Sequence, residues 1–202
     1  MKILAVVLCC VIGLLAQTRG ETDAQVSTVS VYVHSGSINP TLRLPCAEQI
    51  ASALFETAGV QIDWRPAEPK DDPQNGTVVI EMVSGVAQTS HPGALAYALP
   101  FEGEHIRIFW DRVQQITDDS TVTTVLAYVM VHEITHMLQG TNHHAREGIM
   151  SAHWTCKDLQ RLKHEHLSFE RQDIELIHRG LERRPDRQFE TMKDWTQNKE
   201  FE

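Results

Sequence analysis

The sequence predicts an α+β fold that is α/β-like in its N-terminal part: a mixed sheet, two long helices and a small helical C-terminal part. Three observations carry this. Segments that alternate apolar and polar residues recur between positions 26 and 113. A helix with both boundary signals interrupts them at 45–58, and after Ser120 the apolar period lengthens to that of a helix.

Taken in order, Val26 to His34 alternates with Val29, Val31 and Val33 on one face, the pattern of a half-buried strand. From Pro45 to Ala58 the apolar positions Cys46, Ile50, Ala51, Leu54, Phe55 and Ala58 recur at three and four residues, with Gly59 just past the end, so this segment is an amphipathic helix. Val60 to Trp64 reads as a second strand and Thr77 to Val83, after the Asn75-Gly76 turn signal, as a third; strand, helix, strand implies a crossover and parallel pairing. Gly93 to Leu99, small on alternate positions, suits an edge strand, and His105 to Val113 an inner one. Ser120 or Thr121 caps a long helix to about Gln139, ended by Gly140. Thr155 and Asp158 form a capping-box-like start for a helix from Cys156 to about His166, and Ser168 opens another to about Arg179. No repeat or low-complexity linker divides residues 21–180, which reads as one domain followed by a charged tail at 181–202.

Composition narrows the function classes. With 18 Lys and Arg against 27 Asp and Glu in 202 residues, the chain carries a net charge of −9. Phosphate binding needs a basic surface, so nucleic acid is excluded as the main partner. Residues 1–20 read as a secretory signal peptide: Lys2, an apolar run from Ile3 to Ala16, then small and polar residues, with cleavage after Thr18 or Gly20. The run is too short for a comfortable membrane span, and neither Cys9 nor Cys10 follows a small residue in the way a lipid anchor requires. The mature protein is therefore expected to be secreted or periplasmic, without a stable membrane anchor. Cys46 and Cys156 remain after cleavage, either as a disulfide closing a long loop or as two buried thiols.

Histidine is in local excess: seven of 11 fall between His132 and His166. Among them is His132-Glu133-Ile134-Thr135-His136, inside the long helix. Histidines four apart share one helical face, so both imidazoles can address one ion, with a carboxylate beside them. That arrangement suits Zn²⁺, which binds imidazole nitrogen and keeps a position for water. Gly140 lets the chain reverse, His143 and His144 follow, and Gly148-Ile149-Met150 comes shortly after.

These residues resemble the metzincin zinc metallopeptidases, whose pattern is H-E-x-x-H-x-x-G-x-x-H followed by a turn carrying a methionine. Here HEITHMLQGTNHH places the glycine one residue late. Counting from Gly140 makes the third ligand His143; counting back from the methionine turn, in the run HHAREGIM, makes it His144, which is favoured. The resemblance implies a twisted mixed sheet with an antiparallel edge strand that pairs with extended substrate. It further implies zinc held by His132, His136 and His144, Glu133 as general base, Met150 packed below the ligands, and a protein or peptide substrate.

Other readings use the remaining residues. Glu165 or Asp158 could supply a downstream carboxylate ligand as in thermolysin-like enzymes, although N-E-x-x-x-[AS]-D is absent. His153 and Trp154 border the site or simply pack, His164 and His166 suit a solvated helix face, and Asn75-Gly76-Thr77 fits both a glycosylation sequon and a turn. A secreted zinc-binding or interaction protein without proteolysis is the alternative of a different class. Neither G-x-S-x-G nor a cysteine-centred nucleophile motif is present.

Overall fold

A computed structural model of the protein describes residues 27–36, 38, 43–65, 77–85, 93–98 and 105–198, with side chains through residue 184. Residues 1–26, where a leader is expected, the Asn75-Gly76 turn signal, Leu99 and the last four residues lie outside the described residues.

Five strands form one sheet: β1 (Ser27–His34), β2 (Val60–Arg65), β3 (Val78–Val83), β4 (Ala96–Ala98) and β5 (His105–Phe109), in the order β2-β1-β3-β5-β4. All neighbours are parallel except β4, which runs antiparallel to β5 with Tyr97 opposite Arg107. The alternation read in β1 is realised: Val29, Val31 and Val33 are buried, with Val29 beside Ile62 and Val33 beside Ile80. In β3, Val78, Val79 and Ile80 are buried in succession, as an inner parallel strand covered on both faces requires.

α1 (Arg43–Glu56) buries Ala47, Ala51, Leu54 and Phe55 and packs on β2 and on α3 (Val122–Gln139). α3 also contacts β4, β5 and α5 (Arg171–Asn198), and fifteen of its eighteen residues are buried. It is an interior helix, so the residues on its face are held by packing on most sides. Gly140 ends it in the left-handed conformation (φ 63°), a region that favours glycine, and its N–H bonds the carbonyl of His136 at 2.9 Å.

Several expectations need correction. The strand expected to reach Val113 stops at Phe109, because the buried positions change from alternation at Ile106 and Ile108 to a spacing of three at Trp110 and Val113, which forms the short helix α2 (Trp110–Gln115). Thr121 stands at the N-cap of α3, but its hydroxyl donates to the Asp118 carboxylate at 2.8 Å instead of capping, and the Ser120 hydroxyl does the same at 2.6 Å. α4 (Cys156–Arg161) has the complete Thr155–Asp158 capping box but ends before His166. It buries no residue of its own, and the next buried residues, Leu162 and Leu167, are five apart, a spacing a helix does not place on one face. α5 continues past Arg179 through Gly180 to Asn198. A side chain at Gly180 would collide with the Leu138 carbonyl, so the bare backbone lets α5 lie directly on the end of α3. Neither reading of the cysteines holds, since Cys46 and Cys156 are both free and exposed. Cys46 precedes the buried stripe that begins at Ala47 and so faces outward.

Candidate metal centre

α3 places His132 and His136 one turn apart, and the loop after Gly140 returns His144 to them. The ligand-capable atoms of these three histidines lie within 4.8 Å of one another, the one such cluster among the described residues. His132 and His136 rings stand edge to face at 4.8 Å, and His144 lies 4.7 Å from His136 and 5.3 Å from His132 between ring centres. His143 is not part of this cluster; it faces α5, with Nε2 4.0 Å from the Asp173 carboxylate.

Two imidazoles are oriented from behind. Nδ1 of His132 lies 2.9 Å from the carbonyl oxygen of Ile149, and Nδ1 of His136 lies 3.1 Å from that of Thr141. A carbonyl only accepts, so each Nδ1 carries the proton and each Nε2 presents a lone pair. Those two Nε2 atoms are 3.1 Å apart. Two lone pairs held at that distance repel unless a cation lies between them, and burial opposes supplying a proton instead. Burial, reinforced by the neighbouring histidines, holds the His132 imidazole down to about 4 and that of His136 to about 3. His144 is shifted the same way, first by burial and then by His143. The donor set therefore fits a metal ion: three neutral nitrogens could chelate one.

Glu133 is buried beside the cluster. Burial pushes its carboxyl up to about 8, opposed only in part by a backbone hydrogen bond from Ala98 of the edge strand. The carboxyl thus links the metal cluster to β4. Met150 is fully buried in the core, and its carbonyl accepts the Ala145 N–H at 2.8 Å, tying the methionine turn to the residue after His144. Trp154 packs edge-on against His132 at 5.8 Å and against Tyr128 at 6.2 Å, while its Nε1 donates to Gly148 at 3.2 Å. Its place is that of a wall behind His132.

The other sequence candidates stay apart. Asp158 is engaged in its capping box and Glu165 is paired with Arg161 at 2.8 Å; neither joins the cluster. His153, His164 and His166 are exposed. Sequence reasoning missed the carbonyls of Ile149 and Thr141, which carry no side-chain signal, and the buried pair Gln139 and Asp173. Asp173 had a legible sign, being an acidic residue in the first turn of a helix.

No family model matches the sequence, and no curated protein matches it. Solved structures do match in fold. An archaemetzincin from Methanopyrus kandleri aligns with a TM-score of 0.50 at 16% identity over 80% of this chain and 98% of its own. A zinc-dependent peptidase from Methanocorpusculum labreanum aligns with a TM-score of 0.52 at 15% identity over 74% of this chain and 99% of its own. The chain has a metallopeptidase-like fold. At these identities the likeness is one of architecture, and the chemistry rests on the site itself.

Proposed function

We propose that the protein is a secreted or periplasmic zinc-dependent endopeptidase of metzincin type, with zinc held by His132, His136 and His144. The observation that carries this is the convergence of three imidazoles, His136 buried, His132 half-buried and His144 exposed, the first two with Nε2 lone pairs facing each other, beside a buried carboxyl that touches the edge strand. The leader-like first twenty residues support export, and 21–180 would be the catalytic domain with 181–202 appended to it.

Zinc bound there would supply a Lewis acid that lowers the pKa of water and polarises a carbonyl. The chain's residues do the rest. Ile149 and Thr141 carbonyls keep His132 and His136 in the tautomer that binds a cation. β4, at the sheet edge, supports an extended peptide by strand addition. Glu133 takes a proton from the attacking water and returns it to the leaving amine. Positive charge at an occupied site would favour the ionised form of Glu133, which burial otherwise opposes.

The test compares wild type with Glu133→Gln for zinc stoichiometry and for cleavage of a quenched peptide library with and without chelator. Equimolar zinc in both, chelator-sensitive cleavage in wild type, and a loss of roughly 10²- to 10⁴-fold in the variant are expected. Undiminished hydrolysis by Glu133→Gln overturns the base assignment. Equimolar zinc with no cleavage by wild type overturns the peptidase in favour of a zinc-binding protein.

A further inference from the structure

Behind the metal cluster lies a second polar group that the proposed chemistry does not use. Asp173, in the first turn of α5, is completely buried. One carboxylate oxygen, Oδ2, accepts the Glu170 N–H at 2.9 Å; the other, Oδ1, has no hydrogen-bond partner. Gln139, the last residue of α3, is also buried and donates through Nε2 to the Asp173 backbone carbonyl at 3.3 Å. Three elements therefore meet at Asp173: the end of the helix that carries His132 and His136, the start of α5, and the loop that carries His144. The loop's contribution is His143, whose Nε2 stands 4.0 Å from Oδ1.

A buried carboxylate oxygen without a donor is costly, and in a native protein it calls for a partner. His143 Nε2–H is a donor placed slightly beyond hydrogen-bonding reach, on a short segment whose backbone is itself held by the His143 N–H on Thr141 Oγ1 at 3.3 Å and by the Ala145 N–H on Met150. Adjacent residues of a non-helical segment point to opposite sides. His144 faces the other two histidines and His143 faces α5, so a pull on one ring sets the direction of the other. We propose that His143 is a positioning residue, which donates to Asp173 Oδ1 in the metal-loaded protein and so anchors the loop with His144 turned into the metal site. The paired histidines then have separate duties, one holding the ion and one holding the loop. The proposal rests on the metal-site reading given above.

The experiment uses the full chain and measures Zn²⁺ affinity by competition with a chromophoric chelator. Visible absorption of the Co²⁺-loaded protein reports coordination, and thermal unfolding of the metal-free protein reports structure. His143→Leu removes the donor at similar bulk; His143→Gln restores an N–H at nearly the position of Nε2. The expected result is a roughly 10- to 100-fold weaker affinity and an altered Co²⁺ spectrum for His143→Leu, as for other residues that orient a ligand, with wild-type behaviour recovered in His143→Gln. Asp173→Leu should match His143→Leu in metal affinity, and the double variant should lose no more than either single one. Affinity in His143→Leu equal to wild type overturns the positioning role. Equal loss in His143→Leu and His143→Gln also overturns it, since an N–H restored near the position of Nε2 would then hold nothing. A wild-type chain that binds no zinc overturns the metal-site reading itself, which the other outcomes leave standing.

Discussion

Two stretches of this chain are rich in histidine, and they differ in what surrounds them. In 132–144, three imidazoles converge at an interior helix, and the rear nitrogens of His132 and His136 are held by the loop carbonyls of Ile149 and Thr141. In 153–166, His153, His164 and His166 stand exposed around a helix that buries nothing. Residue type is the same in both. What separates His132 and His136 from the second stretch is desolvation: a buried imidazole stays neutral and keeps its lone pair for a cation, while a solvated one retains its water, and His144, though exposed, is set apart by its place beside those two rings. The exposed stretch therefore serves as an internal control for the buried one.

The largest expected difference is in metal uptake. His136→Ala should weaken zinc binding by more than the roughly 100-fold upper range of outer-shell substitutions, whereas His166→Ala should leave it unchanged; equilibrium dialysis against competing chelator measures both. Equal losses would erase the contrast. Next comes packing of the buried region. Gly180→Ala puts a methyl group into the Leu138 carbonyl and should cost about 1–3 kcal/mol in urea unfolding, with the loss falling on the α3–α5 contact that supports the site.

The pH dependence of the metal-free protein sharpens the comparison further. From about pH 4.5 to 6.5 the folded chain binds fewer protons on His132 and His136 than the unfolded chain, with His144 shifted in the same direction, against the single excess proton on Glu133, so these groups make stability rise with pH. Above about 6.5 these histidines are neutral in both states. Glu133 alone remains, protonated when folded up to about 8 and ionised when unfolded, so these groups make stability fall as pH rises further, with a limiting slope of about 1.4 kcal/mol per pH unit for one proton. Unfolding in chelator across this range should peak near pH 6.5, and Glu133→Gln should remove the fall on the alkaline side. The smallest effect belongs to the exposed region: Thr155→Ala breaks the capping box of α4, costs about 1 kcal/mol, and leaves zinc affinity intact.

The parts of this architecture that were legible in the sequence are those whose determinants are local. Alternation at Val29, Val31 and Val33 foretold β1, and the four-residue interval of His132 and His136 foretold their shared face, since both follow from backbone periodicity. Counting along the loop left both His143 and His144 open, and the resemblance favoured His144, the one the structure brings to the cluster. What escaped depends on residues far apart in the chain or on backbone atoms. Asp173 meets His143 across thirty positions, Gly180 matters only because Leu138 lies beneath it, and the carbonyls of Ile149 and Thr141 have no side-chain signature. The strand read through Val113 failed for a different reason: an apolar run with a mixed period can be satisfied by either element, and burial of Trp110 with Val113 decided for a helix.

The five strands all precede α3 in the chain, while His144 and Asp173 follow it. A chain made from its N-terminus can pair its sheet and lay down the first two imidazoles before the rest of the cluster exists. A chain that ended with α3 would offer a cation two imidazoles, and the third nitrogen comes with the loop that follows Gly140.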